Sequence, residues 1–195
     1  MLVHDPSESL YKNITLNDVQ LAAVYYPLLI ELAKYKHNLT YGELVDRAKE
    51  KHPDNDYVQK AIAVSTGRKL DVVRIFTSER GLPDVTSLII NKNDGECCTG
   101  FTDHFDPEKA RSEVFSYDWS EVSAEFDIYI EAVEKQTTKR KRIKRPAALK
   151  IMSAYYNENK ESYPFSIKDK REEIIVLLME GFSAEESFKQ AMEDT

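Results

Sequence analysis

Apolar residues at helical spacing run through most of the chain. Between Asp18 and Lys36, the residues Val19, Ala22, Tyr26, Leu29 and Ala33 recur at steps of three and four. That rhythm predicts a helix with one core-facing stripe. Pro27 lies inside it and predicts a kink or a division into two shorter helices. Thr15 or Asn17 supplies a side-chain oxygen for the first free amides. Ahead of it, residues 1–17 are polar with little period and read as a tail or docking arm. After the polar break Lys36-His37-Asn38, Thr40 with Glu43 three residues on forms a capping box, and Leu39 is placed to pack back as a staple. Leu44, Val45 and Ala48 give this second, short helix its apolar side, and it ends near Lys51-His52-Pro53.

A further helical stretch runs from Tyr57 to Glu79, with Val58, Ile62, Leu70, Val73 and Phe76 as its apolar positions. Ser65-Thr66-Gly67 interrupts it and predicts two helices, 57–64 and 67–79. Gly81 is a helix stop. From Pro83 the period changes. Val85, Ser87 and Ile89 alternate with Thr86, Leu88 and Ile90, a β-branched run that predicts a strand covered on both faces. Asn93-Asp94-Gly95 is a hairpin turn signal, and Cys97 to Phe101 is the expected returning strand. Pro107-Glu108-Lys109-Ala110 suits a helix start. Val122, Phe126, Ile130 and Val133 then continue a helical pattern, and Phe115, Trp119 and Phe126 are expected to pack this segment onto the front of the chain. Beyond residue 146 the pattern predicts three helices: Pro146 to Tyr156, Lys168 to Met179 with Gly181 as its stop, and a last one capped by Ser183 with Glu186 and anchored by Phe188 and Met192.

The expected architecture is therefore mainly α with a small β-hairpin: a winged-helix-like N-terminal module over 1–134, a basic linker over 135–146 and a C-terminal helical appendage over 147–195. The appendage is small for independent folding and is expected to dock on the front domain or on a second subunit.

Charge changes this picture more than composition does. The 195 residues are 42% hydrophobic and 31% charged, with a net charge of −7. Residues 1–134 carry 14 Lys+Arg against 24 Asp+Glu, whereas residues 135–195 carry 13 against 10. An acidic front disfavours a broad phosphate-binding face. It is compatible with a small nucleic-acid-reading patch or with a basic protein partner. The sharpest charge feature is Lys139-Arg140-Lys141-Arg142-Ile143-Lys144-Arg145, in which six of seven residues are cationic. Such side chains can follow a nucleic-acid backbone or an acidic protein, or simply be solvated. Arg68, Lys69, Arg74 and Arg80 recur along the 67–79 helix and its end. They read either as phosphate contacts or as salt bridges to Asp71 and Glu79. Tyr41, at a helix start, reads as a phosphate donor or as a half-buried packing residue.

No apolar run is long enough to span a bilayer; the densest are Leu21–Ala33 and Ile174–Met179. The amino terminus lacks a basic flank followed by an apolar core, so a secretory signal is not expected and a cytoplasmic location is. Cys97 and Cys98 are adjacent and lack the spacing of a four-ligand zinc site. Asp103, His104 and Asp106 form a carboxylate–histidine cluster that could serve acid–base chemistry, in competition with an ordinary solvated loop. There is no phosphate-cradling glycine loop, zinc-protease helix motif or serine elbow. No cofactor or metal is expected.

Leu39-Thr40-Tyr41-Gly42-Glu43-Leu44, the helix around Lys60–Leu70, and the stretch from Asn93-Asp94-Gly95 to Gly100-Phe101 together resemble the winged-helix part of the O6-alkylguanine DNA alkyltransferases and alkyltransferase-like proteins. The resemblance covers residues 22–101. It implies a Thr-Tyr-Gly helix start, a helix that enters the DNA minor groove and a glycine-bearing hairpin. Those enzymes place a reactive cysteine just before the hairpin, where this chain has Gly81-Leu82-Pro83-Asp84-Val85. Alkyl transfer needs a thiolate nucleophile, so the resemblance implies a scaffold without that chemistry. Three functional classes are compatible with these residues. A non-enzymatic nucleic-acid-binding protein comes first, then a protein-interaction or inhibitory protein of the immunity or anti-defence type using its acidic surface. A hydrolase built on Asp103, His104 and Asp106 comes last.

Overall fold

The computed structural model describes residues 14–97, 99–102, 105–120, 123–137 and 140–193, with the backbone alone at 99, 100, 123 and 193. The chain divides into two compact units, Met1–Thr138 and Lys139–Thr195.

In the first unit, helix α1 (Leu16–Tyr35) is the axis. The predicted stripe is buried, but so are Leu21, Tyr25, Leu28, Ile30 and Leu32 on its other sides. A helix apolar nearly all round must be surrounded. α2 (Tyr41–Lys51), α3 (Asp56–Gln59), α4 (Thr66–Glu79) and α7 (Ser123–Gln136) pack around it. Pro27 neither ends nor divides α1. It sits at an exposed position, where water can satisfy the carbonyl that proline leaves without its amide partner. Tyr26 stacks on Phe126 with ring centroids 3.8 Å apart, and Phe76 meets both rings edge-on. Trp119 donates its indole N–H to the Val114 carbonyl at 2.9 Å. The expected docking of the Phe115–Phe126 segment onto the front core is what the structure shows, with Trp119 and Phe126 buried and Phe115 packed partly beneath.

The capping chemistry holds. Thr15 and Asp18 form a capping box at the start of α1, and Thr40 and Glu43 form another at the start of α2. The 57–79 stretch is broken as expected, into α3, a 3-10 turn at Ala63–Ser65, and α4.

The expected hairpin is overturned. Only Ile89–Ile90 (β2) is strand, and it pairs in parallel with Leu39–Thr40 (β1), Leu39 opposite Ile89 and Thr40 opposite Ile90. Val85–Leu88 forms a 3-10 turn. Its cause is Asp84, whose carboxylate accepts the Thr86 N–H at 2.9 Å and the Thr86 hydroxyl at 2.6 Å, and is itself held by the Arg74 Nε at 3.0 Å. A short acidic side chain that captures a nearby following amide diverts backbone from a sheet ladder. The Asn93-Asp94-Gly95 turn does form, with the Asn91 N–H donating to the Glu96 carbonyl and Gly95 at φ 73°. Beyond it the chain enters helix α5 (Thr99–Thr102) in place of a returning strand. The unit continues with α6 (Pro107–Ser116), capped by the Asp106 carboxylate. Among the described residues the fold is thus mostly helical with one two-stranded sheet.

The second unit holds α8 (Arg145–Asn159), α9 (Arg171–Met179) and α10 (Ala184–Glu193), with 3-10 turns at Lys160–Ser162 and Phe165–Lys170. Its own core gathers Ala148, Ile167, Ile174, Ile175, Leu178, Phe188 and Ala191. The Tyr155, Tyr163 and Phe188 rings pack together at centroid distances of 5.0–6.4 Å.

Candidate functional site

The basic run begins the second unit, and its described part, residues 140–145, is seated on the turn that ends α9. Gly181, at φ 93°, makes that turn. A Cβ there would lie 2.7 Å from the Lys141 carbonyl oxygen and 2.9 Å from the Arg140 Cβ. The close approach therefore needs glycine both for its backbone angle and for its missing side chain. The Ile143 N–H donates to the Met179 carbonyl at 3.1 Å, and the Ile143 side chain packs against the unit's core. The Arg140 guanidinium lies 4.0 Å from the Phe182 ring centroid and 3.6 Å from the Glu186 carboxylate. At the other end Arg145 donates through Nη2 to both oxygens of Glu172, at 2.9 and 2.7 Å.

Arg140 and Arg145 are thus committed to neighbouring carboxylates, and Lys141, Arg142 and Lys144 are exposed between them. Lys144 is the N-cap of α8 and, having no side-chain oxygen, gives no side-chain cap bond. The helix starts instead on the Lys144 carbonyl, which accepts the Ala147 and Ala148 amides. Lys139 lies outside the described residues.

Arg68 and Lys69 are elsewhere and inside. Lys69 is 1% exposed, and its ammonium is 3.0 Å from Oδ1 of the fully buried Asp18. The Arg68 guanidinium is 3.9 Å from the same oxygen. The other Asp18 oxygen accepts the Thr15 N–H at 3.0 Å and the Thr15 hydroxyl at 2.9 Å. Burial alone would raise the Asp18 pKa. The charges of Lys69 and Arg68, with the Thr15 amide, outweigh it and hold the carboxyl below its usual range. This arrangement locks the first turn of α1 to α4. A phosphate at the surface cannot reach an ammonium buried to this depth, so Lys69 is corrected from a phosphate contact to a core ion pair. Tyr41 is partly buried against the core of the first unit.

Arg74 does pair with Asp71, at 3.6 Å, and Arg80 with Glu79, at 3.7 Å. Arg80 also lies over the Phe76 ring. Of the carboxylate–histidine cluster, Asp103 and His104 lie outside the described residues, and Asp106 accepts the Glu108 and Lys109 amides as the α6 cap. Cys97 is buried, with its thiol 3.4 Å from the Ser87 carbonyl; Cys98 lies outside the described residues. Among the described residues no group of three or more His, Cys, Asp or Glu is placed to hold a metal ion, and no helix is long and apolar enough to cross a membrane.

Two functional neighbours escaped sequence reasoning. Asp18 reads locally as an ordinary first-turn acid, and only its position amid apolar residues of α1 hinted at burial. Gly181 reads as a helix stop, with nothing to mark the backbone that lies on it. Comparison of the chain with protein-family models, with curated proteins and with solved structures finds no match.

Proposed function

We propose that this is a non-enzymatic nucleic-acid-binding protein whose phosphate-contacting element is the segment Arg140–Arg145. The observation that carries this reading is the seating of that segment. Its backbone is fixed on the Gly181 turn and at the Met179 carbonyl, and Lys141, Arg142 and Lys144 are exposed along it. Cations anchored in this way do not have to be ordered when a phosphate backbone arrives, which lowers the entropic cost of contact. The winged-helix scaffold expected for residues 22–101 is a separate reading and does not carry this one. With β1–β2 parallel and Lys69 internal, the acidic first unit adds little to a phosphate surface.

Contacts of this kind position a backbone without reading bases. The binding is therefore weak, non-specific and strongly dependent on salt. Three neutralised phosphates give a slope of log K against log salt of about −2.7 on duplex DNA. Fluorescence anisotropy of a labelled duplex across a salt series measures it. A variant carrying Lys141→Glu, Arg142→Glu and Lys144→Glu is expected to lose the binding and the slope together. Absence of binding at low salt, or a slope that survives in the triple variant, rejects the reading.

A further inference from the structure

The 3-10 turn Phe165–Lys170 of the second unit carries the most exposed large apolar side chain among the described residues, Phe165, which is 81% exposed. The turn is fastened from beneath. Ile167 is buried in the unit's core, and its N–H donates to the Pro164 carbonyl at 3.1 Å. A 3-10 helix completes a turn in three residues, so side chains three apart stand in one row. Phe165 and Lys168 are such a pair, and Arg171, the first residue of α9, continues the row; all three are exposed. The Lys168 ammonium lies 4.2 Å from the Phe165 ring centroid, as a cation attracted to one face of an aromatic ring does. The row then meets the basic segment. The Arg171 guanidinium is 2.8 Å from Glu172, and the same carboxylate holds Arg145 at 2.7 Å. Lys141, Arg142, Lys144 and Arg145 on one side of Glu172, with Arg171 and Lys168 on the other, form a track of cations that ends in an exposed ring.

We propose that the ligand of this track is a single-stranded nucleic acid, its phosphates following the cations and one of its bases stacking on Phe165. This rests on the reading of Arg140–Arg145 as a phosphate-contacting element and narrows it to a substrate class. A ring left in water forgoes the burial that drives folding, so Phe165 adds little to the core beneath it. Beside a row of cations it has the composition of a stacking platform, in which a basic surface tracks the backbone and an aromatic side chain receives a base. A paired duplex keeps its bases stacked on one another, whereas an unpaired strand can splay a base onto the ring. Stacking of this kind tolerates any base, so the preference is for strandedness and not for sequence.

Fluorescence anisotropy of the full chain with labelled oligothymidine and oligouridine, with an abasic strand of the same length and with a duplex of that length tests this. The parent is expected to bind the base-bearing strands more tightly than the abasic strand or the duplex. Phe165→Ala, at an exposed position that leaves circular dichroism unchanged, is expected to weaken oligothymidine binding about five- to tenfold. It should leave the salt slope, the abasic strand and the duplex unaffected, because the phosphate contacts remain. Phe165→Trp should retain the affinity, and the fluorescence of the introduced indole should be quenched by oligothymidine and not by the abasic strand. Lys168→Ala should make the salt slope shallower by about 0.7. Unchanged oligothymidine affinity in Phe165→Ala overturns the proposal, as does an equal loss on the abasic strand or the duplex, and as does polyglutamate binding as tight as that of oligothymidine. If duplex binding is then still abolished by Lys141→Glu, Arg142→Glu and Lys144→Glu together, the reading of Arg140–Arg145 survives that failure. No binding of any probe at low salt overturns both.

Discussion

An Asp18→Asn substitution removes the anion beside two cations of α4 while leaving a side-chain oxygen to accept the Thr15 amide. Asp18 is fully buried and Lys69 is 1% exposed, with 3.0 Å between their charged atoms. Deleting one member of a buried pair costs about 3–5 kcal/mol, since the remaining charge keeps its desolvation penalty. Loss of a helix cap would add about 1 kcal/mol, which the asparagine avoids, so the measured cost reports on the charge. Lys69→Met removes the other member at similar volume and falls in the same range. If the two groups act on each other, the double variant costs less than the sum by about 2–3 kcal/mol. It stays less stable than the parent because Arg68, 3.9 Å from Asp18, then loses its own nearby carboxylate. Urea unfolding followed by the fluorescence of Trp119 is the assay. Trp119 is the single tryptophan of the chain and is buried in the first unit, so it reports that unit's transition alone. A loss below about 1 kcal/mol for Asp18→Asn, or strict additivity in the double variant, refutes the account of the cluster.

The remaining expectations concern the second unit and pH. Gly181→Ala places a methyl group 2.7 Å from the Lys141 carbonyl oxygen at a backbone φ of 93°, so about 2 kcal/mol or more of the second unit's stability is lost. Protection of the Ile143 amide in hydrogen exchange should fall with it, and unchanged protection would mean that the basic segment is not seated on the turn. The Asp18 carboxyl titrates below its unfolded value. Its contribution to stability is therefore full above about pH 4 and is lost as pH falls through the folded value, and Asp18→Asn should flatten the acid limb of a stability–pH curve read by Trp119. Burial pushes Tyr25 from 10.0 up to about 12, against a smaller opposing effect of a Thr66 hydrogen bond. Its contribution is complete below pH 10 and disappears as pH climbs toward 12, which an ultraviolet titration of tyrosine in the parent and in Tyr25→Phe resolves.

Local chemistry was legible and long-range chemistry was not. The caps at Thr15, Thr40 and Ser183 were readable because donor and acceptor sit within four residues of one another. Ser183 and Glu186 indeed exchange backbone and side-chain bonds at 2.9 and 3.2 Å. The break at Ser65-Thr66-Gly67 was readable for the same local reason; the burial of Trp119 and Phe126 was readable from their large apolar surfaces, while the identity of the rings that meet Phe126, Tyr26 and Phe76, was not. The hairpin failed because alternation between Val85 and Ile90 suggested a strand, while Asp84 captured the Thr86 amide and hydroxyl and Arg74, ten residues away, held Asp84 in place. The stripe on α1 described half of a helix that is covered on most sides, with Pro27 and Lys34 left to solvent, since periodicity marks one apolar face and not the elements that wrap the rest. Arg68 and Lys69 looked like surface cations because the carboxylate that draws Lys69 inward lies some fifty residues earlier in the chain. The basic run was legible as charge, but its seating on Gly181 depends on a turn some forty residues later.

The covering of α1 has a consequence during synthesis. Its last turn is complete at Tyr35, yet Phe126, Ile130 and Val133, which close one of its sides, belong to α7, which ends at Gln136. About one hundred further residues must be translated before that side can be covered, and at typical elongation rates this takes about 5–20 s. Throughout that interval Tyr26 and its apolar neighbours stand open on a nascent chain. The first unit therefore reaches its native packing only when nearly all of it has left the ribosome, and until then the side of α1 that α7 covers is open apolar surface.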